Sequence, residues 1–179
     1  MQQGEGGRWL WHVSCVSAAW RALPIGILYN TELVKASEAP KTWDDLLSRK
    51  WTKKISMPDP TRHATTAQFL WNLQKLKGEK WLDYVKALAK QEPHLVESLA
   101  PVASVVIKGE ADVGISYIKY VKQYQGPIAY VSMDKFISEP SPAIPGAEKV
   151  AANMIFTDSP SAEQFKRLNA ELQRIFFAR

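Results

Sequence analysis

Short apolar segments alternate with segments of helical periodicity between residues 25 and 133, and this alternation constrains the fold most strongly. The segments that favour strands are IGILY (25–29), KISM (54–57), DVGIS (112–116) and IAYVSM (128–133), with a short extended segment at HLVE. Helical patterns over about 64–77, 79–90 and 98–109 lie between them. Crossover helices of this kind return the chain to a parallel neighbouring strand. The sequence therefore predicts the α/β class, with a central, mostly parallel sheet of about five strands flanked by helices.

The two ends of the chain lack this alternation. Residues 1–23 contain three tryptophans without a clean period, and only a short strand near 9–14 can be placed there. Residues 137–146 hold three prolines, which predicts a loop or a hinge crossing, and two closing helices are predicted over about 147–156 and 161–178. We expect an irregular segment (1–23), an α/β lobe (24–133), and a hinge return with C-terminal helices (134–179).

The charge of the chain is moderately basic, and its cations are dispersed. The formal net charge is +5, from 23 Lys and Arg against 18 Asp and Glu, but acidic residues interrupt the lysines along the predicted helices. A nucleic-acid-binding protein would gather its excess charge into one stripe, so no nucleic-acid partner is expected. No apolar run reaches eighteen residues, and the single cysteine, Cys15, cannot form an internal disulfide. The first residues, MQQGEGGRW, lack the basic and apolar regions of a secretory signal.

Motifs that would support catalysis are not found in the sequence. There is no G-x-S-x-G nucleophile elbow and no glycine-rich phosphate loop that ends in Lys-Ser or Lys-Thr. The histidines, His12, His63 and His94, do not have the spacing of a metal-binding set. The chain is therefore predicted to bind its ligand without transforming it, and to need no cofactor.

The loop PDPTRHATT joins the strand 54–57 to the following helix and is the first candidate binding segment. In open α/β sheets, ligands bind beyond the carboxyl ends of the strands, where free N–H groups at a helix start attract anions. The candidate ligand-binding residues on this loop are Asp59, Thr61, His63, Thr65 and Thr66. The alternative is that one threonine caps the helix while the other hydroxyls face water.

The segment GEADVGISYIKY is the second candidate binding segment. The strand 112–116 is expected to end beside the strand 54–57, which would bring Ser116, Tyr117 and Tyr120 to the same crevice. Tyrosine oxygens can donate to an anion or bind a hard metal ion as phenolate. Tyr29 closes the strand 25–29 and is expected to point the same way. The alternative for the tyrosines is a packing role.

Several motifs occur in an order that resembles a known family. ILYNTELVKASEAPKTWDDLLSRKWTKKISMPDP, GEADVGISYIKYVKQYQGPIAYV and PAIPGAEKVAANMIF are similar to successive parts of the iron(III)-type extracellular solute-binding proteins, of the type II periplasmic-binding class. The resemblance covers about residues 24–156. It implies two α/β lobes that close on a solute in the periplasm and deliver it to the permease and ATPase of an ABC importer.

The same resemblance implies a division of the chain. Residues 24–133 correspond to the second lobe, and residues 1–23 to a remnant of the first. Most of the first lobe would precede Met1, so the chain is expected to be a fragment. The apolar face that an absent lobe leaves uncovered would invite dimerisation.

This sequence departs from the family pattern at a position that binds the solute in ferric-binding members. Ferric-binding members carry two adjacent tyrosines after the Gly-Glu strand, and the matching positions here are Lys119 and Tyr120. A lysine removes one ligand and adds a positive charge, which disfavours a trivalent cation. The favoured solute is therefore a small organic anion such as a carboxylate or phosphonate. The alternatives are ferric iron, with Tyr120 as a ligand to Fe3+, and a ligand-sensing regulatory domain of the same fold.

Overall fold

Seven strands form one sheet in the computed structural model, which describes residues 23–133, 136–138 and 154–178. The strands are β1 (Pro24–Asn30), β2 (Ile55–Pro58), β3 (His94–Val96), β4 (Val113–Tyr117), β5 (Ile128–Tyr130), β6 (Phe136–Ser138) and β7 (Met154–Phe156). Their order across the sheet is β3-β2-β4-β1-β6-β7, and β5 also pairs with β1.

The helices lie between these strands and after the last of them. The α-helices are α1 (Ala64–Asn72), α2 (Gln74–Lys77), α3 (Trp81–Ala89), α4 (Leu99–Ile107), α5 (Tyr120–Gln123) and α6 (Ala162–Phe177). Three short 3-10 helices cover Asp44–Leu47, Arg49–Trp51 and Gly78–Lys80 in the described part of the chain. None of the helices described here is long and apolar enough to cross a membrane.

The strand directions make the sheet mixed. β2 is parallel to β3 and β4, and β6 is parallel to β7, whereas β1 is antiparallel to β4, β5 and β6. The predicted α/β class with flanking helices is confirmed, but the sheet has more than five strands and β1 runs opposite to its expected direction. An apolar run such as IGILY favours a buried strand without fixing its direction. The connection from β1 to β2 contains only 3-10 helices, not the long crossover helix typical of parallel neighbours.

Helices cover both faces of the sheet, because successive side chains of a strand point to opposite faces. Ile27 of β1 and Ile115 of β4 belong to a buried cluster that includes side chains of α1, α3 and α6. Leu28 points to the other face and packs with Val102 and Val106 of α4. The described part of the chain is thus a three-layer arrangement in which both sheet faces are buried.

Gly114 allows α4 to lie close to β4. A Cβ atom on Gly114 would lie 2.6 Å from Val102 Cγ1 and 2.9 Å from Val106 Cγ2, which is too close for carbon atoms. The buried Ser116 Oγ, on the same face, donates a hydrogen bond of 2.5 Å to the Leu99 carbonyl. These contacts hold the first turn of α4 against the end of β4.

The structure of the C-terminal part of the chain agrees in part with the sequence-based prediction. α6 confirms the last predicted helix, and it begins with a capping box formed by Ser161 and Gln164. The helix predicted over 147–156 is wrong at its end, because residues 154–156 pair with β6 as β7. The sequence Met-Ile-Phe suits a strand as well as a helix, and pairing with β6 decides between them. The strand expected near 9–14 lies outside the described residues, and the division into three segments stays a prediction.

Candidate functional site

Three strands end and two helices begin at one edge of the sheet, which we call the carboxyl edge. Ser56 of β2 pairs with both His94 of β3 and Gly114 of β4 in parallel register, so β2, β3 and β4 all end there. α1 follows β2 and α4 follows β3, so both helices start at this edge. The expected proximity of the strand ends at Met57 and Ser116 is confirmed, although both side chains are buried within the sheet layers.

Asp59 shapes the loop that follows β2. Its Oδ1 accepts hydrogen bonds from the Thr61 N–H at 2.9 Å and the Thr61 hydroxyl at 2.7 Å. Its own N–H donates to the Val96 carbonyl at 2.8 Å, which ties the loop to the end of β3. Asp59 and Thr61 are therefore both engaged in holding the loop conformation, and they lie at the carboxyl edge as predicted.

His63 caps the N-terminus of α1. Its Nδ1 accepts from the Thr66 N–H at 3.3 Å and lies 2.9 Å from the Thr66 hydroxyl. The alternative prediction, a threonine as the cap, is wrong, because the imidazole of the residue just before the helix reaches the N3 amide. Thr66 is buried beneath the cap, so its hydroxyl faces His63.

The first turn of α1 retains donors that no described residue engages. The N–H groups of Ala64 and Thr65 lie at the first two helical positions, which have no partner within a helix. Neither these N–H groups nor the Thr65 hydroxyl makes a hydrogen bond to any residue that the structure describes. Arg62 is exposed beside them and forms no salt bridge within the same residues. This cluster of donors and positive charge suits an anion.

The end of β4 contributes aromatic side chains to the carboxyl edge. Tyr117 is buried on the sheet face that α1 covers, and Tyr120 is half-buried at the start of α5. Their ring centroids are 6.0 Å apart, and Tyr120 also contacts Tyr124 at 5.6 Å. The structure thus brings Tyr117 and Tyr120 together, whereas the Ser116 hydroxyl is already committed to Leu99.

Tyr29 lies at the opposite edge of the sheet. It pairs with Val113, the first residue of β4, because β1 is antiparallel to β4. The expectation that Tyr29 points toward the same crevice as Ser116 is therefore wrong. Tyr29 instead lines a separate hollow of about 450 Å³, together with Lys41 and Tyr130 among others.

A larger groove, of about 970 Å³, lies between the end of α3, the start of β3 and the last turn of α6. Lys90, Arg174 and Phe177 contribute to its lining. This groove and the hollow beside Tyr29 are both away from the carboxyl edge. We favour the carboxyl edge because two helix starts lie there together with donors of Ala64 and Thr65 that no described residue engages.

Two further features of the site concern metals and the start of α4. No group of three or more His, Cys, Asp or Glu side chains could hold a metal ion within residues 23–133, 136–138 and 154–178. Side chains of kinds that bind metals do lie at the carboxyl edge, among them the phenols of Tyr117 and Tyr120, the Asp59 carboxylate and the His63 imidazole. Sequence reasoning did not assign the start of α4 to the site. Ser98 occupies the N-cap position, and its side chain makes no capping hydrogen bond.

Comparisons with solved structures place this architecture among periplasmic binding proteins. The periplasmic binding protein AfuA from Actinobacillus pleuropneumoniae, with fructose-6-phosphate bound, shares 27% identity over 65% of this chain and 39% of its own, at a TM-score of 0.58. A substrate-binding protein of an ABC transporter from Agrobacterium tumefaciens has a TM-score of 0.70 at 11% identity, over 87% of this chain and 65% of its own. Iron-bound HitA from Pseudomonas aeruginosa has a TM-score of 0.50 at 22% identity, over 62% and 37% of the two chains.

The chain spans only 37 to 65% of the length of these three structures, and no curated protein matches it. The family and these structures are solute-binding proteins rather than enzymes, in agreement with the sequence-based prediction. The model of the family described as bacterial extracellular solute-binding protein matches residues 14–132, which is more than half of the chain. The chain therefore belongs to the bacterial extracellular solute-binding protein family.

Proposed function

We propose that this chain is a ligand-binding lobe of a protein that delivers a small organic anion to the permease and ATPase of an ABC importer. Membership of the extracellular solute-binding family supports the transport role and a location outside the cytoplasmic membrane. The observation that carries the anion assignment is the first turn of α1. There, the N–H groups of Ala64 and Thr65 and the Thr65 hydroxyl have no acceptor among the described residues.

The electrostatics of the first turn of α1 favour a negative ligand group. The partial positive charge of a helix N-terminus and its unpaired N–H groups both stabilise an anion. Arg62 adds a full positive charge beside them. Asp59 is the nearest acid in the loop, and two donors from Thr61 already bind its Oδ1. An anion at Ala64 and Thr65 would thus meet more donors than acceptors.

Phosphate esters are the first class of solute to test. AfuA, at 27% identity, binds fructose-6-phosphate, and a phosphate group presents three acceptor oxygens to convergent donors. Carboxylates and phosphonates carry the same kind of acceptor and remain in the proposed class. Fructose 6-phosphate, citrate and methylphosphonate are therefore the anionic probes, with fructose as the neutral control.

The thermal unfolding of the 179-residue chain tests the proposal directly. A ligand that binds only the folded state at 100 times its Kd adds about 2.7 kcal/mol to the free energy of unfolding, which raises Tm by several degrees. We expect at least one anionic probe to raise Tm and fructose to have a smaller effect. Absence of stabilisation by every anionic probe would contradict the proposal.

Thr65→Val tests the location of the site without disturbing the cap of α1. The Thr65 hydroxyl is available to the ligand, and loss of one such hydrogen bond costs about 1 kcal/mol, or about fivefold in Kd. Thr31→Val is the matched control, because Thr31 is exposed just after β1 at the opposite edge. Thr66→Val is less informative, since the Thr66 hydroxyl contacts His63. Equal affinity of the Thr65→Val and Thr31→Val variants would place the site elsewhere.

Ferric iron is the second candidate solute, favoured by the proximity of the Tyr117 and Tyr120 rings. Phenolates bound to ferric iron give a visible charge-transfer band, so titration with ferric citrate distinguishes the two solutes. We expect no visible band beyond that of ferric citrate alone. A coloured complex that is lost in Tyr120→Phe would reverse the assignment in favour of iron.

A further inference from the structure

Lys119 packs against two aromatic rings at the carboxyl edge. Its ammonium nitrogen lies 5.0 Å from the ring centroid of Tyr117 and 5.2 Å from that of Tyr120. Both distances are within the range of cation–π attraction. Tyr120 also contacts the ring of Tyr124. The ammonium of Lys119 thus contacts the rings of Tyr117 and Tyr120 at the same time.

The position of Lys119 relates it to the first turn of α1. Tyr117 is the last residue of β4, and its side chain belongs to the cluster on the α1 face of the sheet. β4 is the direct parallel neighbour of β2, which leads into α1. Lys119 follows β4 as α1 follows β2, so its ammonium and the free donors of Ala64 and Thr65 belong to the same edge.

The charge of Lys119 has no counter-charge in the described part of the chain. No carboxylate of those residues forms a salt bridge with it, although its side chain is half-buried. Other partly buried lysines have acidic partners: Lys77 pairs with Asp44, and Lys75 with Asp158. A half-buried cation that packs against aromatic rings and has no acidic partner among the described residues favours an external anion, because the attraction is stronger where water is partly excluded.

We infer that Lys119 selects the charge of the solute by binding its anionic group and by repelling a free metal cation. The inference rests on the proposed function, since it deepens the same site. Three N–H donors of the ammonium can bind phosphate or carboxylate oxygens. The rings of Tyr117 and Tyr120 restrict the side chain before the ligand arrives, so less conformational freedom is lost on binding. The same ammonium would repel Fe3+ approaching the two phenols.

Calorimetric titrations of charge variants test this role. Lys119→Met removes the charge while keeping much of the side-chain length, and Lys119→Arg keeps the charge and can stack on the rings. Lys122→Met is the matched control, because Lys122 is an exposed lysine of α5. We expect Lys119→Met to raise the Kd for fructose 6-phosphate at least tenfold. The Kd of Lys119→Arg for this ligand should stay within about threefold of the wild-type value, and the Kd of Lys122→Met should equal the wild-type value.

Comparison of a charged ligand with a neutral one distinguishes anion binding by Lys119 from a packing role of its side chain. Raising NaCl from 50 to 300 mM should weaken binding of fructose 6-phosphate more in the wild type than in Lys119→Met. Salt screens the attraction between the ligand and the Lys119 charge, and the variant lacks that charge. Affinity for fructose should be the same in both proteins. An equal loss of both ligands, or an unchanged Kd for fructose 6-phosphate in Lys119→Met, would overturn the inference and leave the proposed function standing. Absence of binding of any anion by the wild type would refute both.

Discussion

Gly114→Ala tests whether the close approach of α4 to β4 depends on a missing side chain. The new Cβ atom would lie 2.6 Å from Val102 Cγ1 and 2.9 Å from Val106 Cγ2, whereas carbon atoms prefer about 3.5–4.0 Å. Both valines are fully buried, so α4 would have to move outward by about 1 Å or adopt strained rotamers. Such overpacking costs about 1–3 kcal/mol. The lower conformational entropy of the unfolded alanine variant stabilises the protein by about 0.4–1 kcal/mol. The free energy of unfolding should therefore fall by about 1–2 kcal/mol in all.

Urea unfolding followed by tryptophan fluorescence measures this loss. The midpoint should fall while the slope m stays constant, since the change affects the folded state locally. Combining Gly114→Ala with Val102→Ala removes the closest clashing methyl group. The double variant should therefore be more stable than the sum of the single variants predicts, by about 1 kcal/mol. Strict additivity, or a Gly114→Ala protein as stable as the wild type, would refute the reasoning.

The remaining stability and capping predictions concern α1. Asn72→Ala should lower the free energy of unfolding, measured by urea titration, by about 2–3 kcal/mol. The reason is that buried Asn72 donates to the Asp158 carbonyl at 3.0 Å and accepts from the Asp158 N–H at 2.9 Å. A loss below about 0.5 kcal/mol would contradict this. His63→Ala should cost about 1 kcal/mol through the lost cap, and His63→Asn should restore it. His63→Asp should keep the cap but weaken anion binding in calorimetry, because it adds a negative charge beside Ala64; unchanged affinity would count against an anion site there.

The fold could be predicted from sequence where local pattern and tertiary contacts agree. The strand IGILY, the helix of α4 and the helix of α6 were identifiable from apolar periodicity and from Gly and Ser at their ends. The direction of β1 could not be predicted, because an apolar run looks the same in both directions. Pairing of β1 with β4, β5 and β6, which are distant in sequence, determines its direction.

The candidate site was predictable in place but not in the role of each side chain. Asp59, Thr61, His63, Thr65 and Thr66 do follow β2 at the carboxyl edge, as the strand-loop-helix pattern indicated. Which hydroxyl is free depends on hydrogen bonds that the pattern cannot distinguish: Thr66 contacts His63, whereas Thr65 is free of described partners. Tyr29 was misplaced with the direction of β1. The contact of Lys119 with two rings depends on side-chain packing at the start of α5, which leaves no periodic signal.

The most direct measurement of the solute site is an amide chemical-shift titration of the 15N-labelled chain with fructose 6-phosphate. An anion at the carboxyl edge should shift the amides of Ala64 and Thr65 most strongly, because their N–H groups would become its hydrogen-bond donors. The shifts of these two amides should saturate together with one Kd. Shifts confined to residues around Tyr29 and Tyr130, or to the groove between α3 and α6, would contradict the account.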